Sequence, residues 1–415
     1  MITLVANLGS TSFKYKLFDM SEGREAVLAT GSADRIGARG VSGAGRVSGA
    51  GGEASAWEIE ARDVTDSGST ALPDHAAAIE LHLAKLRDMG VSQVKDLAAI
   101  GFKAVHGGPI SGAVRVDDEV LETMQRFAPI APAHNPPYVA AMKSFREKLP
   151  DVQQVAAFET AFHQTIPLYR AAYAVPYEWV EAHGVRRYGF HGASHRYIAT
   201  RTAELAAEHG FSADRLISCH LGGSSSISAI RGGQSVANSF GATPQSGVFH
   251  NNRVGDFDPY ALKQLEAAGV SIDDAFEAMS KRGGLLGLSG VSGDMRDIET
   301  AAARGDERAC LALDAFVDVC RRYIGSYMAV LGGMDAIVFT GGIGQHAAAV
   351  RGLICEGFEY AGVEIDRAKN DDAKGDAETR LDAGGSRAAV WVVPTNEELI
   401  VARQTVGVVS GEAVK

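Results

Sequence analysis

The stretch VANLGSTSF at residues 5–13 recurs in altered form as SCHLGGSSSI at residues 218–227. Both copies run an apolar strand into a polar residue, Leu-Gly and a cluster of hydroxyls, then leave as a second strand. A duplication spaced by half the chain limits the fold more than any other feature. It predicts two similar α/β domains, each opening with the same hairpin. The length of 415 residues agrees, because single hydrophobic cores stop growing at about 250–300 residues.

In the first copy, residues 2–6 are a short apolar run and residues 13–18 alternate apolar and basic with period two. The turn between them carries Ser10, Thr11 and Ser12, with Asn7 and Gly9 beside them. A glycine there lets backbone N–H groups face outward. The turn therefore reads either as a solvated polar bend or as a cradle for phosphate oxygens. The second copy runs on through residues 227–230 to Arg231-Gly232-Gly233 and favours the cradle, since two facing hairpins would line one cleft.

A hydrophobic share of 46% predicts a packed globular protein, and a net charge of −11 without long Lys or Arg runs argues against nucleic acid or an anionic membrane as partner. An anionic substrate would then need local positive charge. Cys219, Cys310, Cys320 and Cys355 stand apart without metal-ligand spacing and read as reduced, buried thiols of a cytoplasmic protein. No export signal precedes the first strand, and no run of about eighteen apolar residues could span a membrane.

Between the hairpins, Asn135-Pro136-Pro137 opens a helix to about Lys148, Ser194 caps another that stops at Gly210, Asp258-Pro259 starts a third, and a long one runs from Asp306 to about Leu331. Residues 37–56, rich in Gly, Ala and Ser, read as a surface loop or hairpin, and residues 366–388 as peripheral. At residues 337–346, IVFTGGIGQH passes from strand through a glycine turn to a helix, a geometry that approaches nucleotides closely. Polar residues also crowd between Gly and Pro in KAVHGGP (103–109), APAHNPPY (131–138), FETAFHQTIP (158–167), YGFHGASH (188–195) and NNRVGDFDP (251–259). Any one of these histidines reads first as a hydrogen-bonded structural residue; five such loops together point to a site that handles negative charge.

NLGSTSFKY, VHGGP, HNPP, ETAFHQT, GVRRYGFHGASH, CHLGGSSSI, LLGLSGVSGDMRDI, VFTGGIGQ and PTNEEL together resemble the acetate kinases, in order, over nearly the whole chain. The resemblance implies an α/β fold of two ribonuclease-H-like domains around a nucleotide cleft, as in actin, sugar kinases and the Hsp70 ATPase domain. The expected division is 1–160 with 396–415 as the acid- and phosphate-binding domain, completed by the C-terminal helix, and 161–395 as the nucleotide-binding domain. The implied activity is reversible phosphoryl transfer from ATP to acetate with Mg²⁺ (or Mn²⁺), in a homodimer whose partners are otherwise ATP, ADP and a small carboxylate. A kinase of propionate or butyrate is the alternative enzyme, and a regulatory relative that has lost catalysis is the alternative outside enzymes.

Matched position by position, Glu159, His191 and Arg253 take the catalytic places, His191 and Arg253 stabilising the phosphoryl group in flight. Lys103, Val105, Ala133, His134, Phe190 and Pro244 take those of the acid pocket. Ser10, Ser12, Lys14 and His220 match phosphate contacts, as does the loop Leu221, Gly222, Gly223 and Ser224. Asp294, Met295 and Arg296 match the adenosine-binding segments, together with Gly342, Ile343, Gly344, Gln345 and His346. Asn7 and Glu397 match the metal-linked residues, whereas Thr395-x-x-Glu398 reads as a capping box that makes Glu398 structural. The chain departs from the family pattern at Lys103 for arginine, Glu159 for aspartate, Gly223 for asparagine, Ala133 for leucine, and Gln345-His346 for Glu-Asn.

Overall fold

The computed structural model describes residues 1–9, 11–21, 24–37, 54–131 and 134–412. The chain separates into two compact units, Met1–Ala161 with Glu397–Lys415, and Phe162–Asn396.

The first unit is built on an eight-stranded sheet: β1 (Ile2–Leu8), β2 (Ser12–Asp19), β3 (Ala26–Asp34), β4 (Ser55–Ala61), β5 (Val64–Thr70), β6 (Leu97–Ala104), β7 (Ala113–Arg115) and β8 (Gln153–Phe158), in spatial order β5-β4-β3-β2-β1-β6-β8-β7. Strands β1 to β5 are antiparallel neighbours, whereas β1, β6 and β8 run parallel and therefore read as apolar runs buried on both faces. On one face, helix Asn135–Lys148 delivers Tyr138, Met142 and Phe145 to the core, with Phe145 stacked on Phe102 at 5.6 Å between ring centres. Helix Glu397–Ser410 packs on the sheet so closely that a Cβ on Gly101 would lie 2.2 Å from Thr405 Oγ1. Only glycine fits there.

The second unit repeats the motif in a six-stranded sheet: β9 (Arg215–His220), β10 (Ser226–Arg231), β11 (Gln234–Asn238), β12 (Ala336–Thr340), β13 (Thr379–Arg380) and β14 (Ala389–Val392), in order β11-β10-β9-β12-β14-β13. Here too the first three strands are antiparallel and the first, fourth and last long strands are parallel. The duplication legible in the sequence is thus a duplicated sheet. Helix Glu307–Leu331 covers one face with Phe316, Cys320 and Ile324, and helix Gly192–His209 covers the other with Ile198 and Leu205 against Leu216, Val338 and Trp391.

Several local expectations need correction. Residues 38–53 of the Gly/Ala/Ser-rich stretch lie outside the described residues, and residues 55 and 56 already belong to β4. The segment 366–388 is not peripheral throughout: Asn370 and Asp382 are buried and Leu381 sits wholly in the core. Helix Ala261–Ala267 begins three residues after Asp258. Ser194 lies inside helix Gly192–His209 rather than at its cap, which is His191 in the left-handed conformation at φ 55°. Among the described residues no helix is long and apolar enough to cross a membrane.

Candidate active site

In the first unit the β1–β2 hairpin pairs Asn7 with Lys14 and Leu8 with Phe13. The turn closes with the Gly9 N–H donating to the Ser12 carbonyl at 2.9 Å, and a Cβ on Gly9 would lie 2.3 Å from Ser12 Oγ. His75 Nε2 sits 3.0 and 3.2 Å from the carbonyls of Gly9 and Ser12, so that nitrogen must carry a proton and pins the turn from below. Ser12 is half-buried and Lys14 exposed; Ser10 lies outside the described residues. The Tyr138 hydroxyl accepts from the Leu8 N–H at 3.0 Å and donates to Asn7 Oδ1 at 3.4 Å. Burial pushes that phenol up to about 12, which keeps it a donor at neutral pH.

Lys103 near the end of β6 and Glu159 just beyond β8 are brought together because those strands are parallel neighbours, Lys103 facing Ala157 in register, and because the Glu159 N–H bonds to the Ala104 carbonyl at 2.8 Å. Lys103 Nζ lies 3.3 Å from Glu159 Oε1 and is also paired with Glu397 Oε2 at the start of the last helix. The three side chains are 18%, 6% and 12% exposed respectively. Burial alone would push the Lys103 ammonium down, but the two carboxylates overcome it and hold the group well above its ordinary value. Val105 follows at the strand end, half-buried, and His134 caps helix Asn135–Lys148. Ala133 lies outside the described residues. His106 is structural: its Nδ1 accepts from the Gly108 N–H at 2.9 Å and its ring stacks on Phe127 at 5.2 Å. The capping box at Thr395 does not form: among the described residues the buried Thr395 hydroxyl has no hydrogen-bond partner, and Glu398 reaches instead to Lys16 at 3.2 Å.

In the second unit histidines gather on the face of β9 and β10. His191 Nδ1 is 2.8 Å from Ser226 Oγ, Ser194 Oγ is 2.8 Å from His220 Nδ1, and the His191 and His220 rings lie 4.1 Å apart. A non-glycine residue at positive φ is strained, and His191 carries that strain where its ring is held. Phe190 is buried edge-on to Phe240 at 5.6 Å, and its carbonyl accepts from His163 Nε2 at 2.9 Å. Arg253 Nη1 donates to the half-buried Pro244 carbonyl at 2.7 Å; burial lowers this guanidinium to about 10, which leaves it charged at neutral pH.

The loop after β9 and the turn after β12 are built on each other. The Leu221 carbonyl accepts from the Ile343 and Gly344 N–H groups at 2.8 and 3.0 Å, so those two amides serve the fold. Gly341, at φ 75°, passes so near Leu221 that a Cβ would meet its carbonyl oxygen at 2.7 Å. Gly222 is buried, Gly223 exposed, Ser224 half-buried and Gly342 exposed. Gln345 Nε2 donates to the Gly375 carbonyl at 3.0 Å and His346 Nδ1 to that of Lys374 at 2.7 Å, so both departures in this segment anchor the 374–375 backbone. Asp294 caps helix Met295–Ala303 and grips Arg296 through Nε at 3.0 Å and Nη2 at 2.6 Å; these bonds hold its carboxyl down at about 2. Met295 places its side chain in the core.

Four residues around these groups were not legible in the sequence. Tyr138 and His75 support the hairpin. Arg351, fully buried, donates to the carbonyls of Gly344 and Gln345 at 3.1 and 2.6 Å and fixes the end of the glycine turn. Asn251, with its amide nitrogen turned to the carbonyls, bridges Gly223 and Gly293 at 3.3 and 3.2 Å, and it is the group nearest to where a side chain on Gly223 would begin. Only the glycine at 223 hinted at a neighbour filling that space.

The description of the acetokinase family matches residues 2–403. An acetate kinase of Shouchella clausii is 41% identical over 410 residues, 98% of this chain and 99% of that relative. Among solved structures, the acetate kinase of Porphyromonas gingivalis superposes with a TM-score of 0.85 at 35% identity, covering 98% of this chain and 99% of the other. A propionate kinase from Francisella tularensis gives 0.86 at 32% identity, covering 98% and 99%.

Proposed function

The chain belongs to the acetokinase family, and from that premise we propose that it transfers the γ-phosphoryl group of ATP to a carboxylate oxygen of acetate, giving acetyl phosphate and ADP reversibly. The observation that carries the reading is the buried ammonium of Lys103 set between the carboxylates of Glu159 and Glu397 beside the polar β1–β2 turn. A packed core has no use for such a charge cluster.

In this reading a lone pair on the acetate oxygen attacks phosphorus in line, and the β–γ bridging oxygen leaves with its electrons on ADP. Acetate is ionised at pH 7, so no general base is needed. Lys103 orients the incoming carboxylate or the phosphoryl oxygens, while Glu159 orients Lys103 and the acid. Val105, Ala133, Phe190 and Pro244 keep the acid-contacting roles that the family match gives them. His134, His191, His220 and the Arg253 guanidinium give hydrogen bonds and positive charge to the equatorial oxygens as the transition state forms. Ser12, Lys14 and the 221–224 loop hold the other phosphates, and Asp294 to Arg296 with Gly342 to His346 hold the adenosine.

The donor set fits Mg²⁺: Asn7 and Glu397 offer oxygen ligands, with Glu159 beside Glu397 across Lys103 to orient the site. Mg²⁺ takes one or two carboxylates, keeps several waters and shares the phosphates of its substrate. Bound there, the ion would neutralise charge on the β- and γ-oxygens. The homodimer and the cytoplasmic setting belong to the same proposal, the second supported by four cysteines free of disulfides; light scattering tests the first.

Trapping acyl phosphate with hydroxylamine, across acids from C2 to C5, tests the reading. Acetate should give the highest kcat/KM. The propionate kinase neighbour and the loss of about three carbons at Ala133 favour propionate as second substrate, each extra buried CH₂ being worth roughly 0.8 kcal/mol. No acyl phosphate from any acid would end the proposal.

A further inference from the structure

Strands β9 and β10 are antiparallel with Ser218 opposite Ser228 and Ser226 opposite His220, so these side chains share the sheet face covered by helix Gly192–His209. The helix places His195 between two of the serines. Ser218 is fully buried, and among the described residues its hydroxyl has one hydrogen-bond partner, His195 Nδ1 at 2.9 Å. A buried hydroxyl proton without an acceptor is costly, so Ser218 must donate to Nδ1. That nitrogen is then bare, and the neutral ring carries its proton on Nε2. Burial first, then the neighbouring His163 and His220, keeps His195 neutral. His195 Nε2–H in turn donates to Ser226 Oγ at 2.8 Å. Among the described residues the only other partner of Ser226 is His191 Nδ1 at 2.8 Å, and its hydroxyl proton goes there.

We infer that the chain Ser218–His195–Ser226 fixes His191 in the tautomer with its proton on Nε2, so that Ser218, His195 and Ser226 are positioning residues for a hydrogen-bond donor. This rests on the reading of His191 as a phosphoryl contact given above. Run in the opposite direction, the chain would put the single proton of a neutral His191 on Nδ1 and leave Nε2 able only to accept, useless toward phosphoryl oxygens. It would also strand the proton of Ser218. One buried serine, far along the chain from His191, therefore decides which nitrogen of the ring can donate. The device is the neutral counterpart of the carboxylate that orients a histidine in other enzymes.

The test is a long-range ¹H–¹⁵N spectrum of histidine-labelled full-length protein at pH 7.5, with His191 assigned by its loss in His191→Ala. His191 and His195 should both show the pattern of a protonated Nε2 and a bare Nδ1. In Ser218→Ala nothing obliges that direction, so both rings should populate the second tautomer, and kcat should fall about tenfold, less than the 10²–10³ of deleting a donor outright, with KM for both substrates changed less than about twofold. Ser218→Thr keeps the hydroxyl and should restore tautomer and rate. A wild-type His191 protonated on Nδ1, or a Ser218→Ala spectrum with unchanged tautomers, overturns the inference. Full turnover by His191→Ala would instead overturn the role given to His191 while leaving the tautomer pattern intact, so the two failures are separable.

Discussion

In the unit formed by residues 1–161 and 397–412, the site is built on charges, with Lys103 between Glu159 and Glu397. In the unit of residues 162–396, beside the buried Arg351, burial keeps the rings of His163, His195 and His250 from protonating; serine hydroxyls and a backbone carbonyl satisfy His163 and His195, and His250 Nδ1 accepts from the Ser225 N–H. The two sheets share a topology yet solve burial in opposite ways. A buried charge cluster needs good geometry and fails when one member is removed, because the others are left uncompensated. A neutral network survives small losses but depends on the direction of every donor.

The contrast is broken most severely at Lys103. Lys103→Met leaves two buried carboxylates without their cation and should cost about 3–5 kcal/mol of stability, the penalty of stripping one partner from a buried ion pair. In the other unit, Ser235→Ala takes one hydrogen bond from buried His163 and should cost only about 1–3 kcal/mol. Urea titration of both variants compares them directly. Equal losses would mean that the Lys103 cluster is effectively solvated.

Glu159→Gln keeps the shape of the cluster and removes one charge. It should lower kcat by about 10² or more, as losing a charge-assisted contact in a phosphoryl-transfer site does. Near-normal turnover would remove Glu159 from the mechanism.

Acid should act on the neutral unit first. His163 titrates at about 4 in the folded protein, against about 6.5 when unfolded, because burial disfavours its charged form. Its stabilising effect is whole above pH 6.5 and is lost as the pH falls toward 4, at about 1.4 kcal/mol per pH unit within that window. His195 and His250 are displaced in the same direction, and in the first unit His82 is displaced to about 4 as well. Hydrogen exchange at pH 7 and pH 5.5 should therefore show β9 and β10 losing more protection than β1 and β2, after correction for intrinsic rates. Equal losses would mean the neutral rings are reached by water.

What the sequence revealed and what it hid divide along the same line. The duplicated hairpins, the long helix from Asp306 and the glycine turn were legible because each rests on neighbours in sequence: alternation, caps and φ-tolerant glycines. The direct pairing of Lys103 with Glu159 depends on parallel register between strands fifty residues apart, and only the matching departures at both positions hinted at it. Nothing local marks Tyr138 as the support of Asn7, Arg351 as the clamp on the glycine turn, or Ser218 as the start of a proton-ordering chain. Thr395 and Glu398 show the opposite error, since a convincing local box lost to a cross-element ion pair with Lys16.

The smallest expected effect sharpens the comparison most, because it keeps every charge and changes only reach. An arginine in place of Lys103 would add a rigid fork where the lysine offers a point charge on a flexible stem. An aspartate in place of Glu159 would withdraw the carboxylate by about one bond length, and a displacement near 1 Å can cost about 10² in rate. Lys103 lies between two carboxylates, so a fork there must find room beside Glu397 as well as Glu159. Lys103→Arg and Glu159→Asp alone should each lower kcat/KM, and the double variant should recover much of the loss, with a coupling energy of about 1 kcal/mol. In the neutral unit an equally conservative pair, Ser235→Thr with Ser218→Thr, should show no coupling, since those hydroxyls serve different rings. A double-mutant cycle below about 0.5 kcal/mol for Lys103 and Glu159 would mean that the two residues act separately, and the first unit would then hold two independent charges rather than one tuned cluster.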